Sequence, residues 1–250
     1  MKTKVTLVGA GPGAVDLITL RGINALKEAK VVLYDALVDE RLLDYAEGAV
    51  LVYVGKRGGQ PSFTQEQINQ LIVSHALIYG KVVRLKGGDP FIFGRGLEEI
   101  EFAERNGIET EVVPGISSST GLTATKGISL TQRGIADGFW VLTASLKGGR
   151  WNEDLALAAQ SDSTIVVLMG VKRLSQIVEE FKASGKEKLP VMIIQNGSLP
   201  TEKVVQGRVD NILRIAEENQ IGAPAIIVLG ETLNAQTVEE VKVELFKQLN

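Results

Sequence analysis

The sequence predicts an α/β protein of two domains, each built on a mostly parallel sheet. The chain has 250 residues, of which 44% are hydrophobic and 23% charged, so it can bury the core of one large domain or two smaller ones. Short runs rich in β-branched residues alternate with longer segments of helical periodicity. The runs are apolar almost throughout, which is typical of parallel strands covered on both faces.

Five strands and three helices are predicted in the first part of the chain, the third helix starting at Arg95 and Glu98. An apolar stripe along residues 17–29 predicts the first helix. The second helix, at 64–78, begins at Thr64, and Gln67 three residues later completes the pattern of a capping box. The predicted strands lie at residues 5–8, 31–34, 50–54, 82–85 and 110–113.

The turn Pro114-Gly115 divides the chain, which predicts an N-terminal domain, 1–113, and a C-terminal domain, 114–250. A stretch rich in Ser, Thr and Gly follows the turn and is expected to be irregular as far as about Gly138. A second series of elements then begins. Helices are predicted at 177–183, 209–218 and 238–249, and strands at 139–143, 164–169, 191–195, 203–207 and 225–229.

Composition excludes several classes of function. The chain has no Cys and a single His, His75, so thiolate zinc, iron–sulfur and Cys-nucleophile sites are excluded and no metal is expected. A net charge of −3 argues against a dedicated nucleic-acid binder. No apolar stretch reaches the roughly 18 residues that span a bilayer, and the N-terminus runs straight into a strand, so no membrane segment or signal peptide is expected. These observations predict a soluble, cytoplasmic enzyme.

A glycine-rich turn follows the first strand. Gly9, Gly11 and Ala14 match the dinucleotide-binding pattern G-x-G-x-x-[G/A], and Asp35 lies where a ribose-binding carboxylate would be. However, Pro12 stands inside the turn, and the helical pattern begins only some residues later. A site for a nucleoside cofactor and a plain tight turn both remain open.

A second glycine-rich loop, residues 86–96, follows the fourth strand. Its adjacent glycines allow close approach of a ligand to the backbone, and Asp89 supplies a hydrogen-bond acceptor. The apolar run 91–93 is expected to face a pocket or a second domain. Arg95 and Glu98 start the next helix, where the alternative is a surface ion pair worth ~0.5 kcal/mol or less.

Cations recur in or beside the loops that follow strands, among them residues 55–62, although the chain is slightly acidic overall. Local positive charge of this kind favours an anionic substrate, and guanidinium groups suit carboxylates because they bind them in bidentate fashion. For any single residue, a solvated surface cation is the alternative. The cations are Lys56, Arg57, Lys86, Arg95 and Arg133.

Several segments, in this order, resemble the tetrapyrrole (precorrin) methylase family. The run Gly-Gly-Asp-Pro-Phe-Ile-Phe-Gly-Arg-Gly is the most specific of them. The resemblance covers nearly the whole chain and is strongest in the first half. The segments are 8–13, 55–59, 83–96, 113–118, 167–170, 195–197 and 224–228.

The resemblance implies a two-domain α/β homodimer that binds S-adenosylmethionine in a cleft between its domains. The implied reaction methylates uroporphyrinogen III twice to give precorrin-2, with S-adenosylhomocysteine as the second product. Precorrin-2 stands at the entry to sirohaem, cobalamin or haem d1 synthesis. The implied partner is therefore a small tetrapyrrole, with neither nucleic acid nor membrane.

The resemblance also implies roles for individual residues. Asp35 and Lys56 match an acid/base pair, and Arg95 and Glu98 match positions that handle the substrate and its proton; the sequence does not decide between these sets. The cofactor contacts implied are Pro12, Gly87, Gly88, Asp89, Ile92, Ser117, Ser118, Met169, Gly197 and Ala225.

Methyl transfer from a sulfonium to an electron-rich ring carbon fits this composition. The reaction needs alignment and a proton acceptor rather than a metal, a thiolate or a histidine. Two alternatives remain. One is an NAD(P) oxidoreductase, for which residues 87–90 have no evident role. The other is a methylase of the same fold that acts on a later precorrin or on a macromolecule, such as a diphthine synthase or a ribosomal RNA ribose methyltransferase.

Overall fold

Ten strands in two separate sheets form the frame of the computed structural model, which describes residues 3–55 and 63–234. The chain divides between Ser118 and Ser119 into two units, each with one five-stranded sheet and its own helices. The predicted α/β class is therefore confirmed. The division falls just beyond the Pro114-Gly115 turn.

The first sheet is parallel throughout. Its strands are β1 Lys4–Gly9, β2 Val31–Tyr34, β3 Val50–Tyr53, β4 Lys81–Lys86 and β5 Glu109–Val113. They lie in the order β3-β2-β4-β1-β5, and every neighbouring pair runs in the same direction. Since all carboxyl ends of such a sheet lie at one edge, the loops that follow the strands are gathered there.

Helices cover both faces of this sheet. Alternate residues of β4 divide between the faces, so Val83 and Leu85 pack with α1, whereas Val82 packs with α2 and α3. Arg84 and Lys86 therefore point toward α2 and α3 as well. The helices are α1 Leu20–Glu28, α2 Gln65–Tyr79 and α3 Gly96–Arg105, with short 3₁₀ turns at Val15–Leu17 and Glu40–Tyr45.

The second sheet is mixed, with one parallel and three antiparallel strand pairs, whereas the sequence predicted a mostly parallel one. Its strands are β6 Phe139–Thr143, β7 Thr164–Leu168, β8 Pro190–Gln195, β9 Lys203–Arg208 and β10 Ala225–Leu229. They lie in the order β6-β7-β10-β8-β9. Three strands, β6, β7 and β8, share one direction, while β9 and β10 run the opposite way. The connection between β8 and β9 is too short for a crossover, so these two strands pair in antiparallel fashion.

Two of the helices around the second sheet, at Ser118–Thr125 and Asp154–Gln160, were not predicted from the sequence. Residues 118–125 were expected to be irregular because Ser, Thr and Gly favour helices weakly; this expectation was wrong. Leu122 is buried among apolar residues of the second sheet, and Thr123 Oγ1 donates a hydrogen bond of 3.0 Å to the carbonyl of Thr120, so packing and local hydrogen bonds stabilise the helix. The helices of this unit are α4 Ser118–Thr125, α5 Asp154–Gln160, α6 Leu174–Ala183 and α7 Ile212–Glu218, with 3₁₀ turns at Lys147–Gly149, Val171–Arg173 and Glu231–Asn234.

Three further expectations from the sequence concern the C-terminal helix, His75 and membrane spans. The predicted helix at 238–249 lies outside the described residues. His75 lies half-buried on α2, and its Nδ1 is 2.7 Å from the carbonyl oxygen of Leu71. Within residues 3–55 and 63–234, no helix is both long and apolar enough for a membrane span.

The capping box predicted at the start of α2 is present and provides a stability test. Gln67 N–H donates to Thr64 Oγ1 at 3.2 Å, and Thr64 N–H donates to Gln67 Oε1 at 2.8 Å. We expect Thr64→Ala to lower the free energy of unfolding by about 1 kcal/mol because one helix N–H loses its partner. Urea denaturation followed by circular dichroism measures the change. Thr64→Ser keeps the hydroxyl and serves as control; equal losses in both variants would contradict this role of the cap.

Candidate active site

Three loops at the carboxyl edge of the first sheet touch through bare backbone. They meet at Gly9, the last residue of β1, at Gly88 after β4 and at Gly115 after β5. A Cβ atom on Gly9 would lie 2.5 Å from the Gly115 Cα, and one on Gly115 would collide with the carbonyl oxygen of Gly88. In addition, Gly88 N–H donates to the Gly11 carbonyl at 2.7 Å. Only glycine permits this close approach, which we call the glycine contact.

Asp89 fastens the glycine contact from the side. Its Oδ1 accepts a hydrogen bond from Phe91 N–H at 2.8 Å, and its Oδ2 accepts one from Gly115 N–H at 3.0 Å. One carboxylate thus ties its own loop to the turn that follows β5. Asp89 is therefore the hydrogen-bond acceptor that the sequence predicted, bound here to two backbone N–H groups, and its contact with a cofactor stays a prediction.

The turn after β1 does not have the form that a dinucleotide site requires. A pyrophosphate binds at the N-terminus of a helix that begins directly after the glycine turn. Here a 3₁₀ turn, Val15–Leu17, intervenes, and α1 begins only at Leu20. A Cβ on Gly11 would lie 2.6 Å from the Leu17 carbonyl oxygen, so the turn folds back on itself.

The loop between β4 and α3 is tightly wound. Phe93 and Arg95 have φ angles of 54° and 57°, in the left-handed region that side chains rarely adopt. Each such residue costs about 1–3 kcal/mol and is held in place by its surroundings. The Gly96 N–H closes the loop by donating to the Pro90 carbonyl at 3.0 Å. As a result, residues 91–93 project as an exposed apolar run that includes Ile92.

Arg95 and Glu98 form an exposed ion pair at the start of α3. Arg95 Nε donates to Glu98 Oε1 at 2.8 Å and Nη2 donates to Oε2 at 2.6 Å. The hydrogen bond to Glu98 raises the pKa of Arg95 above its ordinary value. Both side chains are about half exposed, so the pair is weak and opens at little cost. Their predicted role with substrate remains untested.

Asp35 follows β2 at the same edge as the glycine contact. Its Oδ1 accepts from Leu37 N–H at 3.1 Å, and its Oδ2 accepts from Arg84 Nη2 at 3.3 Å. The side chain is 24% exposed, which leaves the carboxylate reachable. Lys56, its predicted partner, lies outside the described residues, as does Arg57.

The structure also reveals charged residues whose role the sequence analysis missed. Lys86 was interpreted as a cation in or beside a loop; it is in fact the buried end of β4, and its side chain pairs with Glu99 of α3 at 3.0 Å. Burial is the main cause that lowers the pKa of Lys86, and repulsion from Arg84 is the second. Arg133, by contrast, is exposed. The available signal was the placement of Arg84 and Lys86 at alternate positions of β4, next to the apolar residues Val82, Val83 and Leu85.

The predicted cofactor residues of the first unit gather at one edge of its sheet. The turns after β1, β4 and β5 carry all of them except Ile92, which lies slightly further along the loop after β4. None is fully buried. These residues are Pro12, Gly87, Gly88, Asp89, Ile92, Ser117 and Ser118.

The three predicted cofactor residues of the second unit also share one sheet edge. Met169 follows β7 with a φ angle of 54° and is 56% exposed. Gly197 follows β8, where a Cβ atom would collide with Leu122. Ala225 begins β10, which runs against β7 and β8, so its first residue lies beside their ends. The reversal of β10 therefore brings these residues to one edge.

A metal centre has no ready donor set in the part of the chain that the structure describes. Within residues 3–55 and 63–234, no three His, Asp or Glu side chains are grouped so as to hold an ion.

Comparison with known proteins places this architecture in a family. The sequence matches the tetrapyrrole (corrin/porphyrin) methylases over residues 4–213, and the chain belongs to that family. It is similar to the uroporphyrinogen-III C-methyltransferase of Methanocaldococcus jannaschii, with 43% identity over 237 residues that cover 94% of this chain and 98% of the relative.

Solved structures agree with this assignment. Uroporphyrin-III C-methyl transferase from Thermus thermophilus, complexed with S-adenyl homocysteine, shares 42% identity and a TM-score of 0.79, covering 93% of this chain and all of the other. A cobalt precorrin-4 methyltransferase of cobalamin biosynthesis shares 29% identity and a TM-score of 0.83, covering 92% and 96% of the two chains.

The glycine contact can be tested by a single methyl group. We expect Gly115→Ala to lower the free energy of unfolding by about 1–3 kcal/mol because its Cβ would overlap fixed backbone atoms. Gly222→Ala is the matched control, since a Cβ there meets nothing within 4 Å. Urea denaturation of both variants measures the difference. Equal stability of the two would mean that the loops move apart without cost.

Proposed function

We propose that this chain is an S-adenosylmethionine-dependent C-methyltransferase that converts uroporphyrinogen III to precorrin-2 by two successive methylations. The observation that carries the proposal is the glycine contact, fastened by Asp89, at the residues where the family resemblance implies the cofactor. Sequence identity of 43% to the Methanocaldococcus jannaschii enzyme over nearly the whole chain supports the choice of substrate.

The described residues suit S-adenosylmethionine better than a dinucleotide. The cofactor carries a nucleoside and a sulfonium but no phosphate, and the strand-end turns offer backbone groups, a carboxylate at Asp89 and the exposed apolar side chains of Ile92 and Met169. We propose that the turns of the first unit and Met169, Gly197 and Ala225 of the second hold this cofactor. When bound, it supplies an electrophilic methyl group with an excellent leaving group.

The chain itself orients the substrate and takes up a proton. As the ring carbon gains its bond to the methyl group, the bond from that methyl to sulfur breaks, and the substrate then loses one proton. Asp35, Glu98 or a neighbouring group can accept it, and Lys56 is the proposed acid partner of Asp35. Arg95 binds a carboxylate of the substrate, exchanging its weak pair with Glu98 for a bidentate contact.

We further propose that the protein works in the cytoplasm as a homodimer, with a small tetrapyrrole as its partner and neither nucleic acid nor membrane. The Cys-free composition supports a reducing compartment, and the net charge of −3 argues against nucleic acid. The dimer rests on the family resemblance alone.

The reaction can be tested directly with uroporphyrinogen III and methyl-labelled S-adenosylmethionine. We expect two labelled methyl groups per macrocycle, and mass spectrometry together with the absorption of the oxidised product detects them. Boiled protein is the control. Label incorporated into a later precorrin, but not into uroporphyrinogen III, would contradict the proposed substrate and favour another methylase of the same fold.

The proposed role of Arg95 makes a separate prediction. We expect Arg95→Ala to lower kcat/KM for uroporphyrinogen III by about tenfold or more because a guanidinium–carboxylate contact is lost. The affinity for S-adenosylmethionine, measured by calorimetry, should stay within about twofold, since removing a substrate contact leaves the cofactor's contacts in place. Arg105→Ala, at the other end of α3, is the matched control. Unchanged turnover in Arg95→Ala would remove Arg95 from the mechanism.

A further inference from the structure

A buried cluster of charges lies beneath the carboxyl edge of the first sheet. The side chains of Arg84, Lys86 and Glu99 are only 4%, 6% and 0% exposed. With Asp35, which is in contact with Arg84, the cluster holds two cations and two carboxylates. Removing charges from water is expensive, and apolar residues of similar volume are often at least as stabilising in such places. The cluster therefore calls for an explanation other than stability.

Arg84 joins two carboxylates through different nitrogen atoms. Its Nε donates to Glu99 Oε1 at 3.3 Å, and its Nη2 donates to Asp35 Oδ2 at 3.3 Å. The third nitrogen, Nη1, donates to the carbonyl of Leu85 at 2.8 Å. Every nitrogen of the guanidinium thus has a partner. Because Arg84 pairs with Leu33 in the sheet, its side chain reaches along β2 to Asp35, two residues further on.

Glu99 anchors this guanidinium from the side of α3. Its Oε1 also accepts from Lys86 Nζ at 3.0 Å and from Gln65 Nε2 at 3.1 Å. The Gln65 amide is itself held by Asn69 Oδ1 at 2.9 Å. Three donors therefore converge on one oxygen, whereas Glu99 Oε2 is buried and has no hydrogen-bond partner among the described residues. Because all three donors bind the same oxygen, the Glu99 carboxylate is held in one orientation, with Oε1 toward Arg84.

Asp35 is the one member of the cluster that remains reachable from solvent. Its carboxylate is held at one oxygen by Leu37 N–H and at the other by Arg84, while the side chain is still 24% exposed. A group held at both oxygens and yet accessible is well suited to meet a substrate in one orientation. The same helix that carries Glu99 begins beside Arg95, so the cluster also links Asp35 to the start of α3.

We propose that Arg84 is a positioning residue for the Asp35 carboxylate and that Glu99 holds Arg84 in place. The proposal rests on the proposed function, in which Asp35 is one of the carboxylates that can accept a proton from the substrate. Arg84 does not touch the substrate; it acts by fixing where the Asp35 oxygens point.

Arg84→Lys tests this role because it keeps a cation next to Glu99. A lysine has one nitrogen and cannot reach Glu99 and Asp35 in the geometry of a guanidinium fork. We expect kcat to fall about tenfold, with KM for uroporphyrinogen III and the S-adenosylmethionine Kd within about twofold. In an Asp35→Asn background, the same substitution should change kcat less than about twofold, since the carboxylate it positions is gone.

Equal falls of kcat in the two backgrounds would overturn the proposal, as would an unchanged kcat in Arg84→Lys alone. The matched control is Lys81→Arg. Lys81 lies on the same strand as Arg84, and its exposed ion pair is with Glu28 of α1. If Arg84→Lys does not fold, Glu99→Gln is used in its place, again with and without Asp35→Asn. Glu99→Gln removes the negative charge that holds Arg84 but keeps a side-chain oxygen that can accept its hydrogen bond. The same two outcomes then decide.

The double-mutant cycle of Arg84→Lys and Asp35→Asn separates failure of this proposal from failure of the proposed function. If Asp35→Asn lowers kcat and the two substitutions are additive, Asp35 keeps its role and only the positioning role of Arg84 is overturned. If Asp35→Asn has the kcat of the unaltered protein, the acid–base role of Asp35 falls, and the positioning role falls with it. An unaltered protein that transfers no methyl group to uroporphyrinogen III contradicts the proposed function itself.

Discussion

The contact between three bare backbone segments at Gly9, Gly88 and Gly115 is the constraint on which the candidate site depends. Parallel strands deliver their loops to one edge, but the loops meet only because no Cβ atom stands between them. Asp89 then uses both carboxylate oxygens to hold two of these loops together. A surface made largely of peptide groups suits a nucleoside without phosphate, which needs hydrogen bonds and close approach rather than cations.

Two ion pairs near this edge have opposite uses because water reaches one and not the other. The exposed pair of Arg95 and Glu98 is worth ~0.5 kcal/mol or less, so a substrate carboxylate can replace Glu98 at little cost. Removing one partner from a buried pair, such as Arg84 with Glu99, costs about 3–5 kcal/mol. The first pair is therefore free to exchange partners, whereas the second is a fixed part of the frame.

Local patterns predicted the frame well, and tertiary packing determined what they could not. Residues 31–34 and 139–143 form the predicted strands, and Thr64 with Gln67 caps α2 as expected. Helix α4 escaped prediction because its Ser, Thr and Gly residues favour a helix only when Leu122 is buried against another element. The pairing of Lys86 with Glu99 escaped it because sequence spacing does not reveal which face of the sheet α3 covers. The candidate site was predicted as a set of loops, and the geometry within each loop came only with the fold.

The frame by itself does not select the substrate. The chain superposes on a cobalt precorrin-4 methyltransferase with a TM-score of 0.83 and on the Thermus thermophilus enzyme with one of 0.79, although its identity to the latter is much higher, 42% against 29%. Both folds match this chain closely, so backbone shape alone does not distinguish the two kinds of methylase. We expect the choice of substrate to come from side chains that the frame presents. The tightly wound loop after β4 has an exposed apolar run at 91–93 with Arg95 beside it, and we expect it to offer an apolar surface to a macrocycle and a cation to its carboxylates.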